Sequence, residues 1–332
     1  MSGIVATMAT GPAQQRFDYL PVSLFGSVMG LTGLSVAWRL AQARYGAPAW
    51  VADAIGIAAV TAFVLLTFGY SVKLITAPVA ARAEFRHPIA GNLFGTVLIS
   101  LLLLPIIMAP VNLRLAQGVW GVGAVGMVAF AWMIVSRWMS DRQQVAHATP
   151  AWIVPVVGLL DVPLAVPSLG LPPMHGVMVL GLAVGLFFAV PLFTLIFSRL
   201  LFEPPMPDAL QPTLLILVAP FAVGFSTYVA TTGQIDLFAE ALYVLTLFML
   251  AVLLGRLRNL PSCCPFRVSW WAVSFPLAAS AIAALRFAAA EPGFVTDAIA
   301  LTLLALATLT IAGLLVRTLA GVARGELRAL ST

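Results

Sequence analysis

The chain has 332 residues, of which 61% are hydrophobic and 9% are charged, and its mean hydropathy is +1.05. Soluble domains carry about 25% charged residues, so this composition excludes a soluble globular protein and leaves no length for a separate soluble domain. The net charge of +5 does not indicate a nucleic-acid partner, because the basic residues lie between apolar stretches, where they set membrane orientation.

Ten apolar stretches of about 20 residues, the length that crosses a bilayer core, follow one another along the chain. They predict an all-α integral membrane protein with one transmembrane domain over residues 19–322 and short tails at residues 1–18 and 323–332. The N-terminal stretch lacks the features of a cleaved signal peptide, so we expect it to remain as a tail. The predicted spans are Tyr19–Leu40, Trp50–Ile75, Leu93–Val111, Gly118–Met139, Ala151–Leu169, Gly176–Leu200, Gln211–Thr231, Ile235–Leu254, Val268–Ala289 and Phe294–Leu319.

Connections with many basic residues alternate along the chain with connections that have few. The two tails and every second connection hold most of them, and the other connections hold only Arg39, Arg44, Arg114 and Arg286. Since basic residues favour the cytoplasmic side, this bias predicts an even number of spans with both termini in the cytoplasm. We expect the chain to lie among the lipids of a plasma membrane, the inner membrane of a bacterium.

The prolines are distributed unevenly between the spans. Every odd-numbered span contains or begins with proline, whereas the even-numbered spans contain only Pro191. Proline removes a helix hydrogen bond, and lipid cannot satisfy the freed carbonyl, so kinked helices should face protein or a water-filled cavity. This predicts five helical hairpins, with the odd helices as an inner ring around a central pore. The alternative is that membrane helices are generally rich in proline and the split arose by chance.

Sequence motifs of enzymes and metal sites are missing. The chain has no phosphate-binding glycine loop, HExxH or GxSxG motif, so we predict no catalytic residue, metal or cofactor. The adjacent Cys263 and Cys264 predict neither a disulfide framework nor a metal site. His87 forms a local polar cluster with Glu84 and Arg86, whose position between spans favours a solvated loop.

Asp161 is an ionisable residue deep inside the fifth span, between Pro155 and Pro163. Such residues are rare in membranes and usually functional, so Asp161 is a candidate proton or cation site of a coupled carrier. A second interpretation is that it caps a broken helix near the outer mouth by binding freed backbone amides. The neighbouring prolines favour this second interpretation.

The ninth span places a bulky ring among small residues. Phe275 directly precedes Pro276 and is followed by several alanines, which suits a hydrophobic constriction, although most phenylalanines in membrane helices only pack. Arg286 lies eleven residues further on, nearly on the same helix face and roughly 16 Å away. If Phe275 faces a pore, Arg286 faces its outer mouth and would attract anions. The alternative for Arg286 is snorkelling to the interface.

Four stretches of the chain resemble a known family. They are LPVSLFGSVMGLTGLSVAW (Leu20 to Trp38), RAEFRHPI (Arg82 to Ile89), FEPPMPDALQPTLLILVAPFAV (Phe202 to Val223) and SWWAVSFPLAASAIAALRF (Ser269 to Phe287). In order and spacing they are similar to the tellurite-resistance/dicarboxylate transporter family. This family includes bacterial TehA-type proteins, fungal malate carriers and the slow-type anion channels of plant guard cells.

The resemblance implies five helical hairpins around a central pore, in a homotrimer with one pore per subunit. It also implies that Phe275 occludes the pore, since family members carry a phenylalanine at this place on the ninth helix. Small and apolar residues line the family's pore, which assigns the lining and its kinks to Gly26, Gly30, Gly95, Gly158, Gly224, Pro105, Pro220 and Pro276. Asp161 matches no motif of the family, and kinase control through the long tails of the plant channels is not expected here.

Three functional hypotheses follow. The leading one is a gated channel for small anions such as chloride or nitrate, since a pore with little fixed charge releases ions readily. The second is a carrier for a C4-dicarboxylate such as malate, or for tellurite export, with Asp161 and Arg286 as candidate coupling residues. The third is an intramembrane enzyme, for which His87, Glu84 and Arg86 form the available polar cluster.

Overall fold

The computed structural model describes residues 17–172, 174–258 and 264–331. The N-terminal tail up to residue 16, Cys263 and the last residue of the chain lie outside the described residues. Cys264 is disulfide-bonded, which the sequence did not lead us to expect. Within the described ranges, ten helices are long and apolar enough to cross a membrane, which confirms the predicted all-α membrane fold.

The ten helices follow the predicted order and are numbered α1 to α10. They are α1 (Val22–Tyr45), α2 (Ala49–Thr76), α3 (Ala90–Met108), α4 (Leu113–Ser140), α5 (Pro150–Ser168), α6 (His175–Phe202), α7 (Asp208–Thr232), α8 (Leu237–Leu257), α9 (Val268–Ala290) and α10 (Phe294–Ala323). A short helix, Pro78–Arg86, lies between α2 and α3, and another, Leu327–Ser331, follows α10. A helix of 28 residues, such as α2, extends about 42 Å, so its ends project beyond the hydrocarbon core.

The odd-numbered helices are the buried ones. Between 61% and 78% of the most apolar stretch of each odd helix is buried, against 17% to 39% for the even helices. Around the ring, α1 packs against α3, α3 against α5, α5 against α7, α7 against α9, and α9 against α1. Each even helix packs against the odd helix before it, which gives five hairpins. The inner ring that the prolines predicted is therefore confirmed.

The even helices present apolar side chains outward. Exposed large apolar residues are concentrated on them and include Leu65, Phe68, Trp132, Phe187, Phe248 and Leu309. A soluble monomer rarely exposes so large an apolar surface, whereas the hydrocarbon of a bilayer covers it without cost. The outer ring therefore faces lipid.

Each odd helix begins as a 3₁₀ helix, and all of them except α5 then continue as a regular α-helix. The initial 3₁₀ segments are Val22–Phe25, Ala90–Phe94, Pro150–Ile153, Asp208–Val218 and Val268–Val273. 3₁₀ turns are common at helix N-termini, but runs longer than four residues are rare, and three of these five segments are longer. We call the side of the protein on which these segments lie the N-face, and the side on which the odd helices end the C-face.

Helix α5 shows why the odd helices need protein neighbours. It alternates between 3₁₀ and α-helical turns over its whole length, because its prolines remove backbone donors. Neighbouring helices donate to its carbonyl oxygens instead. Trp120 Nε1 of α4 donates to Val162 O at 3.0 Å, and the Thr227 hydroxyl of α7 donates to Leu160 O. Lipid offers no such donors, so this helix is stable only inside the bundle.

A buried ion pair fastens the N-face end of α2. Glu84 Oε2, on the short helix after α2, accepts hydrogen bonds from Lys73 Nζ at 2.7 Å and from the Tyr70 hydroxyl at 3.0 Å. Glu84 Oε1 accepts from the backbone N–H of Val22 at 2.7 Å, and Lys73 Nζ also donates to Leu20 O at 2.7 Å. We call Tyr70, Lys73 and Glu84 the N-face clamp, because they tie the start of α1 to the end of α2.

The clamp corrects the interpretation of Glu84, His87 and Arg86 as a solvated loop. Glu84 is largely buried and charge-paired, although His87 and Arg86 are exposed. The prediction failed because the charge partner of Glu84 is Lys73, eleven residues earlier on a different helix. The residues next to Glu84 in the sequence do not reveal this pairing.

Candidate functional site

The five odd helices enclose a cavity of about 300 Å³ in the N-face half of the protein. Every odd helix contributes to its wall, and the lining residues come from the N-face part of each helix. Toward the C-face, the lining ends at Met29, Ile99, Asp161, Val223 and Pro276. We call this level the cavity floor.

The cavity wall offers dipoles rather than fixed charges. It is mainly apolar, with hydroxyl groups from Ser23, Thr96, Thr213 and Ser269. The Thr96 and Thr213 hydroxyls each donate at 2.6 Å to a carbonyl oxygen of their own helix. Among the lining residues, only Asp161 and His87 carry titratable side chains. An ion in this cavity would meet weak interactions at several points, which suits passage rather than trapping.

Phe275 lies at the cavity floor, in the first turn of the α-helical part of α9. Its side chain is buried, with 8% of the residue exposed. The ring packs over Gly33 of α1, because a β-carbon built on Gly33 would lie 3.7 Å from ring atom Cδ2 and 3.9 Å from Cε2. These are ordinary van der Waals distances, so the ring packs against α1 at the level where the cavity ends.

Helices α1 and α9 approach each other closely beside this ring. A β-carbon on Gly30 would lie 2.2 Å from Ser274 Oγ and 2.4 Å from Ser274 Cβ. Ser274 Oγ donates its one hydrogen to Trp271 O at 2.6 Å, and the oxygen also lies 3.2 Å from Gly26 O of α1. The contact therefore depends on the missing side chain of Gly30, and it fixes the position of the residue next to Phe275.

Gly30→Ala is expected to lower the free energy of unfolding by about 1–3 kcal/mol, because the added carbon forces α1 away from Ser274. Thermal unfolding of the purified protein in detergent measures this. Gly118→Ala in α4 is the control and should be neutral or slightly stabilising, since nothing lies within 4 Å of a β-carbon there. Adding Ser274→Gly to Gly30→Ala should restore part of the stability. Equal losses from Gly30→Ala and Gly118→Ala would show that the contact is not tight.

Asp161 also lies at the cavity floor, and 2% of the residue is exposed. Its Oδ1 atom has no hydrogen-bond partner. The residue precedes the α-helical turn Val162–Ala165, but its side chain makes no capping hydrogen bond. Its own backbone is helical (φ −77°, ψ −16°), so the helix continues through this point and leaves no free amides to cap. The favoured prediction, that Asp161 caps a broken helix near the outer mouth, is therefore wrong.

Arg286 lies near the C-face end of α9, where a second cavity of about 700 Å³ is lined by α1, α7 and α9. Helices α1 and α7 flank α9 in the ring, so this cavity lies where the C-face ends of three neighbouring inner helices meet. Arg286 Nη1 donates to Ser226 O at 3.3 Å, and no described carboxylate forms a salt bridge with it. Arg44 lines the same cavity but is paired with Asp297 at 2.6 Å. Arg286 therefore presents an uncompensated positive charge to this cavity.

Comparison with known proteins identifies the family. A family model described as "SLAC1: Voltage-dependent anion channel" matches residues 19–319, which cover nine of the helices completely and all but the last four residues of α10. The chain belongs to this family. The resemblance recognised in the sequence is confirmed, and the SLAC1 family comprises anion channels and transporters rather than enzymes.

Individual relatives of the SLAC1 family agree with this. The S-type anion channel SLAH3 of Arabidopsis thaliana is 28% identical over 322 residues, which cover 93% of this chain and 50% of the relative. The guard cell S-type anion channel SLAC1 of the same plant is 24% identical, covering 93% of this chain and 57% of the relative. The tellurite resistance protein TehA homolog of Haemophilus influenzae is 28% identical, covering 81% of each protein. The chain thus spans about half the length of these plant channels.

The glycines and prolines assigned to the pore of this SLAC1-family protein fall into two groups. Three line the N-face cavity: Gly26, Gly158 and Pro276. Five are not among its lining residues: Gly30, Gly95, Gly224, Pro105 and Pro220. A β-carbon on Gly95 would lie 2.9 Å from Val154 Cγ1 of α5, and one on Gly224 would lie 3.1 Å from Leu186 Cδ2 of α6. These glycines let helices approach each other and do not line the N-face cavity, and their assignment to the pore stays a prediction.

Sequence reasoning missed Gly33 and underrated His87. Gly33 follows Gly30 by three residues, so both lie on one helix face, and this spacing was the available signal. His87 lines the N-face end of the cavity, and its Nδ1 atom accepts hydrogen bonds at 3.1 Å from the backbone N–H groups of Ile89 and Ala90. It thereby organises the start of α3.

Proposed function

We propose that the chain is a gated channel for small inorganic anions such as chloride or nitrate, with the Phe275 ring as its gate. The observation that carries this proposal is that a cavity built by all five inner helices ends where Phe275 packs over Gly33. An anion passes when the ring swings aside. The sparse charge of the wall supports conduction, and the relatives named as S-type anion channels support an anion as the conducted ion.

The test is the current through planar bilayers containing the purified protein, native or Phe275→Ala, in a salt gradient. A current that reverses near the anion equilibrium potential and rises in the variant supports the gated channel. Uptake of labelled malate or tellurite without any current would reject the channel in favour of a carrier.

A carrier for C4-dicarboxylates or for tellurite export is the second candidate. It is favoured by the buried carboxyl group of Asp161 in the cavity and by the relative named as a tellurite resistance protein. A proton-coupled carrier would lose coupling in Asp161→Asn. Uptake by that variant with unchanged pH dependence would contradict this version.

We also propose that the N-face is cytoplasmic in a bacterial inner membrane, because the connections on that face carry most of the basic residues. Reporter fusions at the C-terminus and in the α1–α2 connection test this orientation. The homotrimer rests on the family resemblance alone. Native mass spectrometry of the detergent-solubilised protein tests it.

Arg286→Gln is expected to reduce anion current at low salt by about twofold or more, because the unpaired guanidinium concentrates anions in the C-face cavity. The reduction should shrink near 1 M salt, where the screening length is about 3 Å. Arg44→Gln is the control and should have a smaller effect, since Asp297 already offsets that charge. Conductance measured across salt concentrations gives the result, and equal effects of both variants would contradict it.

A further inference from the structure

The cavity floor has little to offer an anion except the carboxyl group of Asp161. Met29, Ile99, Val223 and Phe275, which lie at the same level, have no hydrogen-bond donor in their side chains. Of the wall hydroxyls, those of Thr96 and Thr213 already donate to carbonyl oxygens of their own helices. The other two, on Ser23 and Ser269, lie in the first turns of α1 and α9, toward the N-face and away from the floor. An anion that leaves water behind needs donors to replace its hydration. The floor thus lacks donors at the level of the Phe275 ring, unless Asp161 provides one.

We propose that Asp161 is an anion-binding residue of the pore that works in its protonated form, donating the hydrogen of its carboxyl group to the passing anion. This inference rests on the proposed channel function and adds a ligand to it. It also gives the channel a pH dependence: current falls as pH rises, because loss of the proton removes the donor and places a negative charge in the anion path.

The surroundings of Asp161 favour the protonated state. An ionised carboxylate without a cation or hydrogen-bond partner is costly to bury, and Oδ1 is buried with no partner. Helices α3, α4, α6 and α7 pack against the turn that contains Asp161. Helix α3 has no titratable side chain, and the titratable side chains of the other three lie toward their ends: Arg114, Arg137, His175, Arg199, Asp208 and Tyr228.

None of those six side chains lines the cavity, and the other titratable group that does is His87 at its N-face end. No positive charge in the described residues therefore forms an ion pair with Asp161. A neutral carboxyl group held in an apolar site is a strong hydrogen-bond donor to an anion, a use that buried carboxylic acids serve in other proteins.

The experiment measures chloride current in the Phe275→Ala background, where the gate is open, over the full pH range in which the variant stays folded. With Asp161 intact, we expect the current to fall about tenfold or more, the typical contribution of one hydrogen bond to a charged group. Asp161→Asn keeps a donor and cannot ionise, so its current should stay high and flat across this range. Asp161→Leu has no donor, so its current should be low and flat.

His87→Gln is the matched control, because it removes the other titratable group of the wall and should leave the fall with pH in place. An unchanged fall in Asp161→Asn, or equal currents in the Asn and Leu variants, would overturn the proposal. Absence of anion current in Phe275→Ala itself would instead overturn the channel function. Infrared difference spectra of native protein against Asp161→Asn provide a separate readout. They should show a protonated carboxyl band at neutral pH that shifts on adding chloride, and lack of that band would also overturn the proposal.

Discussion

Replacing Phe275 with alanine is expected to raise the anion current about tenfold or more, which corresponds to removing about 1.4 kcal/mol from the barrier. The ring lies at the cavity floor and packs over Gly33 of α1, beside Ala278. Gly33 and Ala278 have no side chain that could fill the space of the ring. Alanine at position 275 has no atom beyond its β-carbon, so the variant removes the ring from the end of the cavity. Mean current per reconstituted protein molecule measures the effect.

Phe275→Leu should give an intermediate current, because leucine fills part of the volume of the ring and leaves the rest open. Phe287→Ala is the matched control on the same helix. Phe287 stacks on Tyr243 with ring centroids 4.2 Å apart, and it does not line the cavity, so its loss should leave the current unchanged. If Phe275→Ala and Phe287→Ala raise the current equally, a general loosening of α9 explains the rise and Phe275 is not the gate.

The sequence predicted the arrangement of the helices because proline has a direct structural cost. A proline in α5 frees carbonyl oxygens, and donors such as Trp120 and Thr227 supply the missing bonds. Only a helix surrounded by other helices finds such donors, so the uneven prolines separated the inner ring from the outer one. The 3₁₀ starts of the odd helices were not predictable in the same way, since only some of them contain proline.

The candidate site was harder to predict, because the sequence does not show whether a glycine faces the pore or a neighbouring helix. A missing side chain widens a pore when it points inward and brings two helices together when it points sideways. Gly26 lines the cavity, whereas Gly30, four residues later, lies against Ser274. Sequence alone supplies the helix face but not the neighbour that this face meets. The prediction that Phe275 occludes the pore came from the family resemblance and from the adjacent Pro276. The spacing of apolar residues along α9 did not indicate it.

Polar residues depended on contacts that are distant in sequence. The cap predicted for Asp161 assumed that the prolines break the helix, but α5 continues in mixed 3₁₀ and α-helical turns and needs no cap. Glu84 looked solvated because its sequence neighbours are charged, yet its partners are Lys73, Tyr70 and the backbone of α1. In both cases the environment was set by packing between elements, which local sequence does not encode.

Glu84→Gln is expected to lower the free energy of unfolding by about 3–5 kcal/mol, the usual cost of removing one partner from a buried ion pair. The side chains of Lys73 and Glu84 are only 4% and 13% exposed, so the variant leaves the ammonium group of Lys73 without a countercharge and away from water. Unfolding of the protein in mixed detergent and sodium dodecyl sulfate measures the loss.

The double variant Lys73→Met/Glu84→Gln distinguishes the contribution of the ion pair to stability from that of the other contacts of the N-face clamp. Because it removes both charges, it should be more stable than Glu84→Gln alone. Asp53→Asn is the control for a solvated pair. Asp53 Oδ1 and Arg39 Nη2 lie 3.4 Å apart, and their side chains are 63% and 32% exposed. Losing this ion pair should therefore lower the free energy of unfolding by no more than about 1 kcal/mol. A double variant less stable than Glu84→Gln would show that Lys73 stabilises α1 mainly through Leu20 O, independently of its charge partner.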